Sequence, residues 1–517
     1  MEKKLSSSNK LIAKNALFLY FRLLFTLSIG LYASRLILNI LGVVDYGIYN
    51  VVGGVVALFA FLQASLSGAT TRFLNIHMLN GIEQLKIVFN TALIMHFILA
   101  IVILIFSETL GLWLVVNKLS IPENRMTVSI IVYQLSVVSV IVSILQIPYD
   151  AAIIANEKMN IYASFSILKA IFNLILIFFV RYLPYDKLFV YAILILIVSI
   201  IVLILVQLYC RNFFLETKFA FLFDRKIFKD MTSFFGWDLY GNMSVVLKIQ
   251  GVNIIQNIFF GPVINASVAI VSQAQSGLST LGSNLALAAT PQMIQCYSKN
   301  DINRMFLLLS QGTRLAFYLV LIVSLPLVFY PKYILGLWLG TVPYYADSFL
   351  SLSLLSSIIS ISFLLLNPII HATGKMFRIS FITGSIYLVS LPLTYMLFKY
   401  GFSPMAPYYL NFVIVILAGI TNLYIVQKYI PQFKVSIFFR KVLFRMYMVF
   451  FCSSLAAYVI SNNFKLYPIF SMLIIVFFIF ILILSIGINK TERKYLLNLI
   501  RTFIRSNELF KKIKNKK

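Results

Sequence analysis

From Leu188 to Tyr209 the chain runs for 22 residues without a single charge, and Pro468 to Gly487 is a second such run. A hydrocarbon core of ~30 Å is crossed by ~20 apolar residues in a helix. Comparable runs recur along the whole sequence and are continuous rather than alternating, which points to membrane-spanning helices and away from a β-barrel. With 61% hydrophobic and 11% charged residues, the chain could not give a water-soluble domain an adequate polar surface. About fourteen spans are expected, near 13–38, 46–67, 88–107, 127–147, 160–180, 188–209, 236–260, 264–288, 306–330, 349–370, 377–398, 404–426, 443–461 and 468–487. The first residues are polar and basic and the first apolar run is too long for a signal core, so no cleavable leader is expected.

The formal net charge is +27. On a soluble protein that would suggest nucleic acid, which is not expected as a partner here, because the charge follows the loops. With the N-terminus inside, inside segments hold 32 Lys plus Arg and outside loops hold 7. This split puts both termini in the cytoplasm and favours an even number of spans. The basic tail, 490–517, fits topology and attraction to anionic lipid, with docking of a partner enzyme as the sharper reading.

The sequence also repeats itself. Leu110-Gly111-Leu112-Trp113-Leu114 returns as Leu335-Gly336-Leu337-Trp338-Leu339. Gly42 precedes Thr70 by 28 residues, and Gly261 precedes Thr290 by 29. Ala155 to Met159 and Ala372 to Met376 share the pattern A-x-x-K-M. Three echoes in one order indicate a duplicated unit, and an even number of helices in each copy makes the repeats parallel. The expected organisation is a six-helix lobe over 1–210, a cytoplasmic linker over 211–235, a second six-helix lobe over 236–427, two additional spans over 428–489 and the tail 490–517.

No phosphate loop, metal-binding helix motif or nucleophile elbow is present. His77, His96 and His371 are scattered, as are Cys210, Cys296 and Cys452. Neither an enzyme, nor a metal, nor a cofactor is expected, and no external loop is large enough for a polymerase. The 16 acidic residues read as loop, tail or span-end positions, with Asp45, Asp150 and Asp238 near ends. A cation-expelling pump generally keeps a carboxylate in mid-membrane.

The intramembrane charge is positive instead. Insertion scales put the cost of such a cation at ~2.5–3.5 kcal/mol, so it faces a cavity or snorkels to the headgroups. At about 100° per residue, Arg22 shares a face with Asn15 and Thr26, and Tyr162, Ser166, Lys169 and Asn173 form one stripe. Arg314 shares a face with Ser310, Gln311 and Tyr318. Lys248 is the deepest cation, yet it falls opposite Asn242, Gln250, Asn253, Gln256 and Asn257 on a straight helix. Either Gly251 breaks that helix or Lys248 faces the other side. The eighth span is unusually polar, with Gln273 and Asn284 among its side chains, so it lines water or packs through hydrogen bonds. Candidate substrate-binding cations are therefore Arg22, Lys169, Lys248 and Arg314, and candidate polar lining residues are Asn242, Gln250, Asn253, Gln273 and Asn284. Arg35 and Asp45, near the end of the first span, are expected to pair.

The stretch Ser34-Arg35-Leu36-Ile37-Leu38-Asn39-Ile40-Leu41-Gly42, followed by Asp45-Tyr46-Gly47-Ile48-Tyr49-Asn50, resembles the N-terminal signature of bacterial polysaccharide flippases. These are the Wzx-type O-antigen exporters of the multidrug/oligosaccharidyl-lipid/polysaccharide (MOP) superfamily. The resemblance implies an all-α polytopic, MATE-like fold with two six-helix lobes facing a central cavity. It implies an inner-membrane flippase that moves an undecaprenyl-diphosphate-linked oligosaccharide, a repeat unit of O-antigen, capsule or exopolysaccharide, to the periplasmic leaflet. A polysaccharide polymerase or glycosyltransferases would be its partners. Multidrug exporters belong to the same superfamily and lipid II flippases share the fourteen-span count, so both stand as alternatives. The missing mid-span carboxylate is a departure from many of the multidrug members.

Overall fold

A computed structural model describes residues 2–59, 81–156, 158–373, 377–463 and 467–488, with Lys375 and some positions between 67 and 78. Side chains of residues 2–21, 233–238 and most of 284–298 lie outside the described residues. Regular structure among the described residues is entirely helical. Twelve helices among the described residues are long and apolar enough to cross a membrane. One of them, Leu24–Ala57, holds two of the expected spans, joined at Gly42. The polar 37-residue helix Pro262–Ser298 supplies the remaining expected span. The protein is thus a polytopic membrane protein of fourteen spans, in two parallel repeats followed by two further helices.

The repeat landmarks fall at matching places in the helix order. Gly42 has φ 78° and ψ 172°, and Gly261 has φ 74° and ψ −177°. Each turns the chain from one span into the next through a conformation almost restricted to glycine. A Cβ at either position would meet nothing within 4 Å, so the constraint is backbone strain rather than crowding. Gly42→Ala and Gly261→Ala should each destabilise the protein by about 1–3 kcal/mol, measurable as a lower thermal midpoint of the purified chain. An unchanged midpoint would mean the backbone relaxes there. The repeated pentapeptide lies just after the third span in one copy, at Ser107–Gly111 and Leu112–Asn117, and just after the ninth in the other, in Pro331–Leu339. The A-x-x-K-M pattern follows Glu123–Ala155 in the first copy and Leu366–Ala372 in the second.

The chain divides into two compact units. One comprises Met1–Gly277, Ile334–Leu352 and Lys375–Thr421. One of its cores gathers Phe89, Tyr149, Val202, Val206 and Met231, and another gathers Val51, Val55, Tyr133, Leu188 and Ile254. The other unit comprises Leu278–Tyr333, Ser353–Gly374 and Asn422–Lys517. There Phe317, Ile358, Val449 and Ile479 are buried, and the Tyr318 hydroxyl donates to Gly487 O at 3.0 Å. Phe451, Leu455 and Phe477 are each about two-thirds exposed, at 67%, 68% and 67%, a placement suited to lipid and not to water.

Arg35 and Asp45 do not pair. Gly42 redirects the chain between them, so Asp45 begins the second span facing other helices. Arg125 Nε donates to Asp45 Oδ1 at 2.9 Å, and its Nη1 donates to Asp186 Oδ2 at 2.5 Å. Arg35 Nη1 donates to Leu337 O at 3.3 Å instead. Asp186 also caps Lys187–Phe213 by accepting from the backbone N–H of Leu188 and Phe189. Burial alone would raise the Asp186 carboxyl, but the hydrogen bonds from Arg125 and those two amides hold it below its ordinary value. A depressed carboxyl contributes stability that is present above its unfolded pKa, about 3.9, and is lost as pH falls through its folded value. Arg125→Gln should therefore cost about 1–3 kcal/mol at neutral pH, and the gap to wild type should narrow below about pH 4. A pH-independent gap would rule out this linkage. In the second repeat the corresponding helices meet through rings: Tyr345 stacks on Phe349 at 5.6 Å, and Phe349 on Tyr408 at 4.3 Å.

The linker between the repeats is stitched to the first one. Asn156 Nδ2 donates to the buried Glu216 at 2.9 Å, Ala220 N donates to Asn90 Oδ1 at 2.9 Å, and Asp224 N donates to Thr91 Oγ1 at 3.1 Å. From Arg225 onward the chain is already the helix that becomes the seventh span.

Candidate functional site

The stripe read from helical spacing lies on the straight helix Met159–Tyr182. Arg22 meets it from the first span. Its guanidinium carbon sits 4.9 Å from the centre of the Tyr162 ring, and Nη1 lies 3.5 Å from Ser166 Oγ, at the long limit of a hydrogen bond. Thr26 Oγ1 donates back to Arg22 O at 2.8 Å. Lys169 is half-buried one turn further along. Asn173, a turn beyond it, has a buried Oδ1 with no hydrogen-bond partner among the described residues. Asp150 acts on Lys169 electrostatically without forming an ion pair within 4.0 Å, and Gln146 Nε2 donates to it at 3.1 Å. Asp150 lies near the end of Glu123–Ala155, as the span-end reading has it, and from there acts on the half-buried Lys169.

Lys248 shows why straight-helix geometry met a contradiction. Gly251 does not break the helix; Leu247–Gly251 is a π turn. Such a turn absorbs one extra residue and offsets the two ends of the helix by about 100°, so Asn242 and Asn253 do not share the face that uniform spacing assigns them. Lys248 is half-buried, with Nζ 4.7 Å from the centre of the Tyr387 ring. Tyr387 follows another π turn, Ile379–Thr383, and was not singled out by the sequence. Behind the pair, the Tyr240 hydroxyl and Ser385 Oγ are hydrogen-bonded at 2.9 Å.

The candidate lining amides divide. Asn253 is 4% exposed and belongs to a buried clasp rather than an open wall. Its Nδ2 donates to Asn50 Oδ1 at 3.0 Å, and Asn265 Nδ2 donates to its Oδ1 at 2.7 Å. Asn257 donates to Asn265 Oδ1 at 2.7 Å and accepts from Ser120 N at 2.8 Å. The clasp joins helices of both repeats beside Gly42 and Gly261, and Asn50, Asn265 and Ser120 carried no periodic signal that would have marked them. Gln250 lies beside Gly54, and Gln273 accepts from Ser34 Oγ. Gln273 packs against Gly30, and Trp338 Nε1 donates to Leu31 O at 2.6 Å, so this part of the polar eighth span is held by close helix packing. Asn242 is half-buried. The side chain of Asn284 lies outside the described residues. Arg314 belongs to the second unit and is only 6% exposed, which a snorkelling head would not be.

No family model and no curated protein matches the sequence. Solved structures do match the architecture. A lipid II flippase, MurJ, in an inward closed conformation aligns with a TM-score of 0.64 at 15% identity, over 94% of this chain and 99% of that one. The fold is one this chain shares with that flippase and with the two transporters below. The MATE multidrug transporter DinF-BH aligns at 0.63 and 13% identity, over 81% and 95%. An inward-facing MATE family transporter of the MOP superfamily aligns at 0.58 and 16%, over 79% and 95%. Such likenesses establish the fold alone.

Proposed function

We propose that the protein is an inner-membrane flippase for undecaprenyl-diphosphate-linked oligosaccharide, with both termini in the cytoplasm and the six-helix lobes 1–210 and 236–427 rocking to expose a shared path to each side in turn. The observation that carries this reading is that each repeat seats an intramembrane cation on a tyrosine ring, Arg22 on Tyr162 and Lys248 on Tyr387, and neither makes an ion pair among the described residues. A ring face stabilises a cation without cancelling its charge, so the charge is left to attract a diphosphate. The asparagine clasp serves as the periplasmic gate, since a network of neutral amides can exchange its partners for water. The polyprenyl chain stays in the bilayer while amides and hydroxyls accommodate the glycan. A polymerase or glycosyltransferases working on the same glycan are the proposed partners.

Asp150 favours a second reading, a cation-coupled multidrug exporter, because it provides a carboxylate that acts on an intramembrane cation. Its placement near Lys169 argues for charge balance instead. The deciding experiment is translocation in proteoliposomes. The flippase reading expects a polyprenyl-diphosphate oligosaccharide to cross in the presence of the protein and lipophilic cations to stay. Drug movement without lipid-linked sugar movement would overturn it.

A further inference from the structure

The two cation–ring pairs bridge equivalent helices: Arg22 and Tyr162 the first and fifth spans, Lys248 and Tyr387 the seventh and eleventh. Their depths differ. Arg22 lies 20 residues before Gly42, whereas Lys248 lies 13 before Gly261, and these two glycines mark equivalent turns. On the ring side, Tyr162 lies 4 residues after Lys158 and Tyr387 lies 12 after Lys375. Both members of the second pair are displaced in the same direction, by seven and eight residues. That is two turns, about 10 Å along a helix. Cation and ring have moved together, as a working unit would.

Neither repeat keeps the other's pair. By the same offsets, the places matching Arg22 and Tyr162 in the second repeat are Gly241 and Ile379, and a Cβ on Gly241 would already sit 3.4 Å from Ser380 Oγ. The places matching Lys248 and Tyr387 in the first repeat are Ile29 and Ala170. Had a single ring of charge at one level been required, parallel repeats would most simply have kept both pairs at that level.

We infer that the protein holds the lipid diphosphate at two stations in succession, Arg22 with Lys169 nearer the cytoplasmic entrance and Lys248 about 10 Å further on. This rests on the flippase reading above. The chemistry differs in a matching way. Arg22 offers a planar fork that grips two phosphate oxygens, and Lys169 adds a second cation on the same helix face that meets Arg22. Lys248 offers a single point charge, which holds less specifically and lets go more readily. Passage through a membrane calls for sites firm enough to enter and weak or multiple enough to leave.

The test uses the full chain in nanodiscs for binding of farnesyl diphosphate and in proteoliposomes for translocation of a polyprenyl-diphosphate oligosaccharide. Arg22→Ala should weaken binding and raise KM about ten- to hundredfold, with little change in the rate at saturation. Lys248→Ala should leave binding close to wild type and lower the saturated rate. Arg22→Lys and Lys248→Arg should each recover part of the affected parameter, and monodisperse elution of every variant would show that folding is intact. If both alanine variants change the same parameter by similar factors, there is one shared site and the two-station inference is wrong. If the variants change neither parameter while the wild type translocates, the inference is equally wrong. A wild type that neither binds nor moves these lipids would instead overturn the flippase reading itself.

Discussion

A chain carrying Arg22→Ala and Lys248→Ala together is expected to lose glycan export while reaching the membrane at normal level. Each cation removed eliminates one or more charge-assisted hydrogen bonds to diphosphate, about 1.5–3 kcal/mol or ten- to hundredfold. If the two act independently, their product is about 10²–10⁴. Stability should move little, because the insertion cost of ~2.5–3.5 kcal/mol per cation is relieved while a cation–ring contact of about 0.5–2 kcal/mol is lost. Cells should accumulate lipid-linked repeat units on the cytoplasmic side and lose surface polysaccharide. The measurement is surface glycan beside membrane-protein level. Normal glycan at normal protein level would leave the proposed mechanism without its anion site.

Asn253→Leu is expected to loosen the end of the path that the asparagines close. The substitution strands Asn50 Oδ1 and removes one of the two acceptors of Asn265 Nδ2, in a place where Asn253 is 4% exposed. Backbone acceptance from Asn265 Nδ2 by Asn253 O, 2.9 Å, survives. A stranded buried polar group costs about 1–3 kcal/mol. The closed form should lose that much against an open one, in which water satisfies the same amides. A cysteine at position 254, where the native Ile254 is buried next to Asn253 without belonging to the clasp, in a chain whose Cys452 is replaced, should then react about tenfold faster with a membrane-impermeant maleimide added from outside. Equal labelling of the Asn253→Leu chain and its parent, both correctly folded, would show that the clasp is static packing.

What could be read from sequence depended on how regular the helices are. The spans and the equivalence of Gly42 and Gly261 were legible because hydropathy is local and the repeat is direct, whereas the left-handed turn at each glycine came only with the backbone. The Tyr162, Ser166, Lys169 and Asn173 stripe was legible because Met159–Tyr182 is an unbroken α-helix, for which 100° per residue holds. Arg22 could be placed at that stripe only by pairing helices, which periodicity does not do. The Lys248 contradiction arose from a π turn that no composition rule foretells, and Tyr387 stayed invisible because its partner comes from a span more than 130 residues away. Asp45 was matched with Arg35 by proximity in sequence, whereas Gly42 gives it to Arg125. Asp150 was legible as a span-end residue because hydropathy falls close to where Glu123–Ala155 stops.

The π turn at Leu247–Gly251 gives the helix a spare residue in evolutionary terms. Because it stores one residue beyond an α-helical count, a single deletion there would restore the α-helix and keep both ends of the span in register with the bilayer. Residues outside the turn would keep the faces they have now, because the turn already absorbs the residue being removed. Only positions inside it would take new faces, so losing a codon there could re-aim Lys248 away from Tyr387 while the rest of the span stays in place. Similar turns at Ser107–Gly111, Ile379–Thr383, Phe439–Leu443 and Ile483–Gly487 offer the same freedom elsewhere. They also allow two halves of common origin to differ by a residue between landmarks without losing their spans.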